Sequence, residues 1–114
     1  MNTFHDMLWL SLPIPAFLID PGDVIAEVNP AAESFLNASV RSVRGAPVFD
    51  ILAIDSPIDD AFRRVRQDQS SLFMNNVDVG TGNTRPVRSN VQIAPMTGMP
   101  GFVLVLLEPR GLAD

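Results

Sequence analysis

Hydrophobic and polar positions change period several times along the chain, and each period predicts a different element. In TFHDMLWLSL, residues 3–12, Phe4, Leu8 and Trp9 recur at helical spacing and Leu12 continues the stripe. Thr3 is placed to cap this helix. Pro13 ends it, because proline disfavours helical geometry at the residue before it. IPAFLID, residues 14–20, is apolar almost throughout and predicts a strand covered on both faces. Pro21 and Gly22 then turn the chain, the proline through its preset φ and the glycine through its tolerance of positive φ. VIAEV, 24–28, predicts a second strand, antiparallel to the first if the turn is tight.

Asn29 and Pro30 open the next helix. Asparagine is a strong N-cap, and proline suits the first helical position, where its missing N–H is not needed. Ala32, Phe35 and Leu36 form the apolar face. Residues 39–55 read as short helical turns, with Ser39 capping VRSVR, Gly45 at a left-handed cap and PVFDIL as a second apolar cluster. SPIDDAFRRVRQD, 56–68, is the clearest helix. Ser56 would cap it, Pro57 would take the first position, and Asp59 would complete a capping box. Ile58, Ala61, Phe62 and Val65 give the i, i+3, i+4, i+7 stripe. Asp59–Arg63 and Asp60–Arg64 are expected i,i+4 ion pairs, each worth about a few tenths of a kcal/mol.

The last third alternates with a strand period. In SLFMNNVDV, Phe73, Val77 and Val79 are assigned to one face, with Asn75 the polar exception. GTGN predicts a hairpin turn. In RPVRSNVQIA, Val87, Ser89, Val91 and Ile93 point one way and Arg88, Asn90 and Gln92 the other. PMTGMPG turns again, and FVLVLLE, 102–108, is apolar on both faces. Two groups of antiparallel strands around a helical middle define an α+β fold with one antiparallel sheet.

Composition narrows the function. With 114 residues and 46% hydrophobic content, one domain with one core is expected. The absence of cysteine excludes disulfides, thiolate metal sites and cysteine nucleophiles. Net charge is −5, and no basic run exceeds Arg63-Arg64, which disfavours nucleic-acid binding. MLWLSLPIPAFLI lacks a basic flank, carries Pro13 and Pro15, and is too short to span a bilayer, so a cytoplasmic setting without membrane contact is expected.

The strand PAFLID, the turn PGDVIAEVN, the helix NPAAESFL, RGAPVFDIL and the closing β meander together resemble a PAS domain over nearly the whole chain. The wording LPIPAFLIDPGDVIAEVNPAAESFLNASVRSVRGAPVFDIL is similar to the N-terminal sensor module of nitrogen-regulation histidine kinases of the NtrB type. The resemblance implies a five-stranded antiparallel sheet in order 2-1-5-4-3, with helices on one face and the N-terminal helix covering the other. It divides the chain into an N-terminal dimerisation helix (1–13), a PAS domain (14–109) and the start of a linker to a kinase core (110–114). The strand order agrees with the pattern above, because strands one and five, both apolar on two faces, become central neighbours. The implied function is a sensory and dimerisation module that relays a signal to a C-terminal kinase core without chemistry of its own. The implied partners are a second copy, that core and, for the parent, a PII-type regulator. Phe4, Leu8, Trp9 and Leu12, with the outer side of the central strands, are the expected dimer surface; an intramolecular lid is the competing arrangement.

No constellation in the chain carries chemistry. His5 is the only histidine and lies on a short helix. PAS domains that bind haem commonly use a histidine on the long helix and photoactive flavin PAS domains a cysteine; the long helix here has no histidine and the chain no cysteine, so the resemblance implies neither. Asp59 and Asp60 diverge by about 100° on a helix. No Ser/His/Asp set can be assembled around His5, so the chain is not expected to be an enzyme, and no cofactor is expected. The competing function is a sensor of a small ligand or non-covalent cofactor. Its pocket would be lined by Phe35, Leu36, Phe49, Leu52, Phe62, Val65, Val91 and Leu104, with Asn75 and Ser89 as inward polar groups. All the apolar members are equally what a plain core needs. Asp20, Gly22, Asn29 and Pro30 are read as structural.

Overall fold

The computed structural model describes residues 3–82 and 85–112, the last two through their backbone only. The chain starts with helix α1 (Thr3–Ser11), followed by strands β1 (Ala16–Ile19) and β2 (Ile25–Val28). Three short helices come next, α2 (Pro30–Leu36), α3 (Val40–Val43) and α4 (Val48–Ile51). Strand β3 (Ala53–Ile54), helix α5 (Ile58–Asp68) and the meander β4 (Leu72–Gly80), β5 (Val87–Pro95) and β6 (Val103–Leu112) complete it.

The sheet is antiparallel in the order β2-β1-β6-β5-β4-β3. Among the described residues it therefore has six strands, not five. The addition is β3, two residues that pair with Val79 and Gly80 at one edge. Leu52 turns extended after α4 (φ −116°, ψ 119°), which lets the chain run beside β4 for two residues instead of continuing as helix. With β3 set aside, the expected order stands: β1 lies beside β6 in the interior, Phe17 opposite Val105 and Leu18 opposite Leu104.

Helices α2–α5 pack on one face of the sheet. Phe17, Ile19, Val79, Val91, Ile93, Val103, Val105 and Leu107 meet Ala32, Leu36, Val43, Val48, Leu52, Phe62 and Val65 in one buried cluster. Burying a side chain the size of Phe17 or Phe62 contributes about 1.5–3 kcal/mol.

Several local expectations change. Helix α5 starts at Ile58, with Pro57 in the cap position and no side-chain cap bond. The Ser56 hydroxyl faces Met74 Sδ at 3.3 Å instead, so the capping box does not form. On α5 the ion pair is Asp60–Arg63, not Asp59–Arg63 or Asp60–Arg64. Ser39 makes no cap bond either; Glu33 Oε2 takes that role by accepting the Val40 N–H at 2.7 Å. In the β1–β2 turn the positive φ falls on Asp23 (65°) rather than on Gly22. The hairpin assigned to GTGN includes Asn83, which lies outside the described residues. Strand β6 runs to Leu112, which pairs with Val87, so residues 110–112 of the assigned linker belong to the sheet. Residues 113–114 lie outside the described part, as do residues 1–2 of the N-terminal segment.

Candidate functional site

The structure has two faces with different character. The helix-covered face is the core. The other face carries α1 over part of its surface and is open over the rest. Each assigned residue can be placed on one of them.

Leu36, Leu52, Phe62, Val65, Val91 and Ser89 are buried together between the sheet and the helices, and Phe35 packs partly exposed against them. Phe49 sits at the margin, 39% exposed, with its ring 5.7 Å from that of Phe62. Ser89 satisfies its hydroxyl by donating to the Val87 carbonyl at 3.2 Å. Asn75 and Leu104 are not part of this group. Leu104 lies between buried Val103 and Val105 on β6 and so points to the opposite face. Asn75 borders a shallow groove there with Phe73, Asn90, Gln92 and Leu106.

The reason for the Asn75 placement is a β-bulge. The β4–β5 register shifts between Met74 and Val77, and Asn76 takes φ 57°. One extra residue inverts the alternation. Leu72 and Met74 then pack against the core while Phe73 is 65% exposed on the open face.

Helix α1 lies along the open face with no residue buried. Trp9, Leu10, Leu18, Val28, Met96 and Leu104 line a groove of about 400 Å³ between the helix and the sheet, with Asp6, Glu27 and Glu33 also on its wall. Phe4, Met7 and Leu8 are 63%, 62% and 54% exposed, and Leu12 is also exposed. The assigned stripe therefore splits: Trp9 turns toward the domain's own sheet, and Phe4 and Leu8 do not line that groove. His5 is exposed, its ring tilted against Phe4 at 5.8 Å.

Two polar nodes hold this frame. Asn29 is fully buried. Its Oδ1 accepts the N–H groups of Ala32 and Ala16, both at 2.9 Å, and its Nδ2 donates to the Ile14 carbonyl at 3.0 Å. Asp20 Oδ1 accepts from Gly22 N–H (2.9 Å) and Val24 N–H (3.0 Å), which closes the β1–β2 turn. The second node, Arg66 on α5, has no counterpart in the sequence reading. Its Nε donates to the Gly101 carbonyl (2.9 Å), one Nη to the Asp20 carbonyl (3.1 Å), and the other lies 2.8 Å from Asp23 Oδ1. It thereby joins α5 to both turns at one end of the sheet, and its guanidinium carbon sits 5.6 Å from the centre of the Phe62 ring. No group of three metal-ligating side chains occurs among the described residues. Among the same residues, no helix is long and apolar enough to cross a membrane.

This architecture is an α+β domain whose single sheet is packed under helices on one face and only partly covered, by α1, on the other. A family model described as the PAS fold matches residues 4–110, and the chain belongs to the PAS family. It is 46% identical over 108 residues, 95% of its own length, to the sensory histidine kinase/phosphatase NtrB of Rhodobacter capsulatus, and spans 30% of that protein. It is 26% identical over 103 residues to the NtrB of Rhizobium meliloti, of which it spans 26%. Among solved structures, the PAS domain of nitrogen regulation protein NR(II) from Vibrio parahaemolyticus superposes with a TM-score of 0.79 at 18% identity, covering 92% of this chain and 96% of that one. A PAS domain from Colwellia psychrerythraea also reaches 0.79, at 12% identity and 96% coverage of both chains.

Proposed function

We propose that this chain is the sensory and dimerisation module of an NtrB-type nitrogen-regulation histidine kinase. It carries no catalysis of its own and relays state to a C-terminal kinase core in a cytoplasmic parent protein. The likeness to the amino-acid sequence of the Rhodobacter protein supports the parent assignment. The observation that carries the dimer is α1, whose apolar residues Phe4, Met7, Leu8, Trp9 and Leu10 spread over more than one side while none of its residues is buried. Apolar helix surface is stable when it is enclosed, and of these residues only Trp9 and Leu10 line the groove against the domain's own sheet. A second copy, related by a two-fold axis, would cover Phe4, Met7 and Leu8. A PII-type regulator is the proposed partner of the parent protein.

The test is light scattering on the eluting protein. A dimer that Leu8→Glu weakens is the expected result. A monomer at every concentration overturns the assembly. Attachment to a kinase core is tested by reading the parent sequence beyond Asp114 for a phosphoacceptor histidine and an ATP-binding domain.

A further inference from the structure

Strand β4 has an edge that is paired over only a short stretch. β3 pairs with Val79 and Gly80, and Asp55 donates its N–H to the Asp78 carbonyl at 2.9 Å. From Leu72 to Val77 the strand has β5 on one side and no strand on the other among the described residues. Edges of this kind are normally guarded by charge or proline, because their free N–H and C=O groups are a template for another strand. Here QSSLFMNNV, residues 69–77, contains neither. The bulge comes after Met74, so Leu72–Met74 keep a regular register with β5.

The start of α5 runs beside this edge. Pro57, Asp60, Ala61 and Arg64 on the helix side, with Leu72 and Met74 on the strand side, line a groove of about 400 Å³. Its charges are not balanced. Asp60 is held by Arg63. Arg64 makes no ion pair or hydrogen bond among the described residues.

We propose that this groove binds an extended peptide of another protein, added to β4 as a further strand, with a carboxylate side chain facing Arg64. An open edge offers main-chain hydrogen bonds, which a strand satisfies and a compact ligand does not. Three edge residues span about 10 Å, enough for the central residues of such a peptide. The unpaired guanidinium selects a carboxylate through paired N–H···O bonds. Self-pairing of two β4 edges is disfavoured by the same residue, since it would bring two Arg64 side chains to one seam with both Asp60 carboxylates already engaged.

The test is selection of a random nonapeptide phage library on the intact chain, with Arg64→Glu as the counter-target. Arg64 is exposed and without partner, so this variant should keep a dispersed amide spectrum; Arg64→Ala is the milder second variant. The expected result is a set of alternating apolar and polar peptides sharing one acidic position. Their binding should shift the amides of Leu72–Asn75, and Arg64→Glu should weaken it by roughly tenfold or more, as loss of a charge-assisted pair requires. Replacing the shared acidic residue by lysine should restore binding to that variant. No enrichment, no acidic preference, or shifts confined to other surfaces would overturn the proposal. Concentration-dependent shifts of the same amides without peptide would assign the edge to a second copy and overturn it as well.

Discussion

The side chain of Asn29 accepts the backbone N–H of Ala16 at 2.9 Å, thirteen residues away in sequence, while the Asn29 N–H donates to the Ala16 carbonyl at 3.2 Å. The same Oδ1 caps α2 through Ala32. One buried amide thus fastens the start of β1 to the start of α2. A cap alone is worth about 1 kcal/mol. Asn29→Ala also leaves the buried Ala16 N–H without that partner, at about 1–3 kcal/mol, while the part-buried Ile14 carbonyl can turn to water. The expected loss is about 2–4 kcal/mol in urea denaturation, well above a cap's value. A loss under about 1 kcal/mol would mean that water or backbone replaces the amide at no cost.

Arg66 fastens the other end of the sheet. Its bonds to the Gly101 and Asp20 carbonyls need the planar fork of the guanidinium, which lysine lacks. Arg66→Lys is therefore expected to lose most of what Arg66→Met loses, about 1–2 kcal/mol for hydrogen bonds from a charged donor at a partly exposed site. Hydrogen exchange should quicken at residues 20–24 and 99–102 in both variants. Equal protection in Arg66→Lys and the unaltered protein would show that charge alone holds the two turns.

Gly101 and Gly98 give a matched pair. Both have positive φ, 83° and 80°. A Cβ on Gly101 would stand 2.8 Å from Pro21 Cγ, whereas one on Gly98 meets nothing within 4 Å. Gly98→Ala should cost about 1 kcal/mol from left-handed strain alone. Gly101→Ala adds a clash against a rigid ring that cannot rotate away, so its melting point should fall clearly further. Equal melting points would show that the Pro21 turn moves freely.

Much of this frame is legible from residue pattern. Residues 14–20 and 102–108 are apolar on both faces, which is what interior strands of a two-sided sheet require, and β1 and β6 are neighbours there. Asn29-Pro30 announces a helix start by cap chemistry, and α2 begins at Pro30. The same two-sided apolarity hides phase: nothing in VLVLL says whether Leu104 or Val105 faces the core. In Asn75-Asn76 either residue could take the left-handed conformation, so the bulge that turns Phe73 outward has no local marker. β3 is too short to show a period. Arg66 looks like any basic residue in a last helical turn, because its partners are carbonyls 35 and 46 residues away.

The two sides of α1 separate the two arrangements open to this helix. Trp9 lines the groove against the domain's own Leu18 and Leu104. Leu8 is 54% exposed and lies outside that lining. If α1 were only an intramolecular lid, Leu8→Glu would change neither mass nor stability, and Trp9→Arg would lower stability by exposing the groove. If a second copy covers Phe4, Met7 and Leu8, Leu8→Glu places two carboxylates near an apolar two-fold seam, where each loses hydration without a partner. The dimer should then dissociate, with a Kd raised by roughly a hundredfold or more, about 3 kcal/mol, while the monomer's own fold stays intact. Light scattering across a dilution series, read beside far-UV circular dichroism, distinguishes these outcomes. A Leu8→Glu protein that remains dimeric at the concentration where the unaltered protein does would remove α1 from the interface.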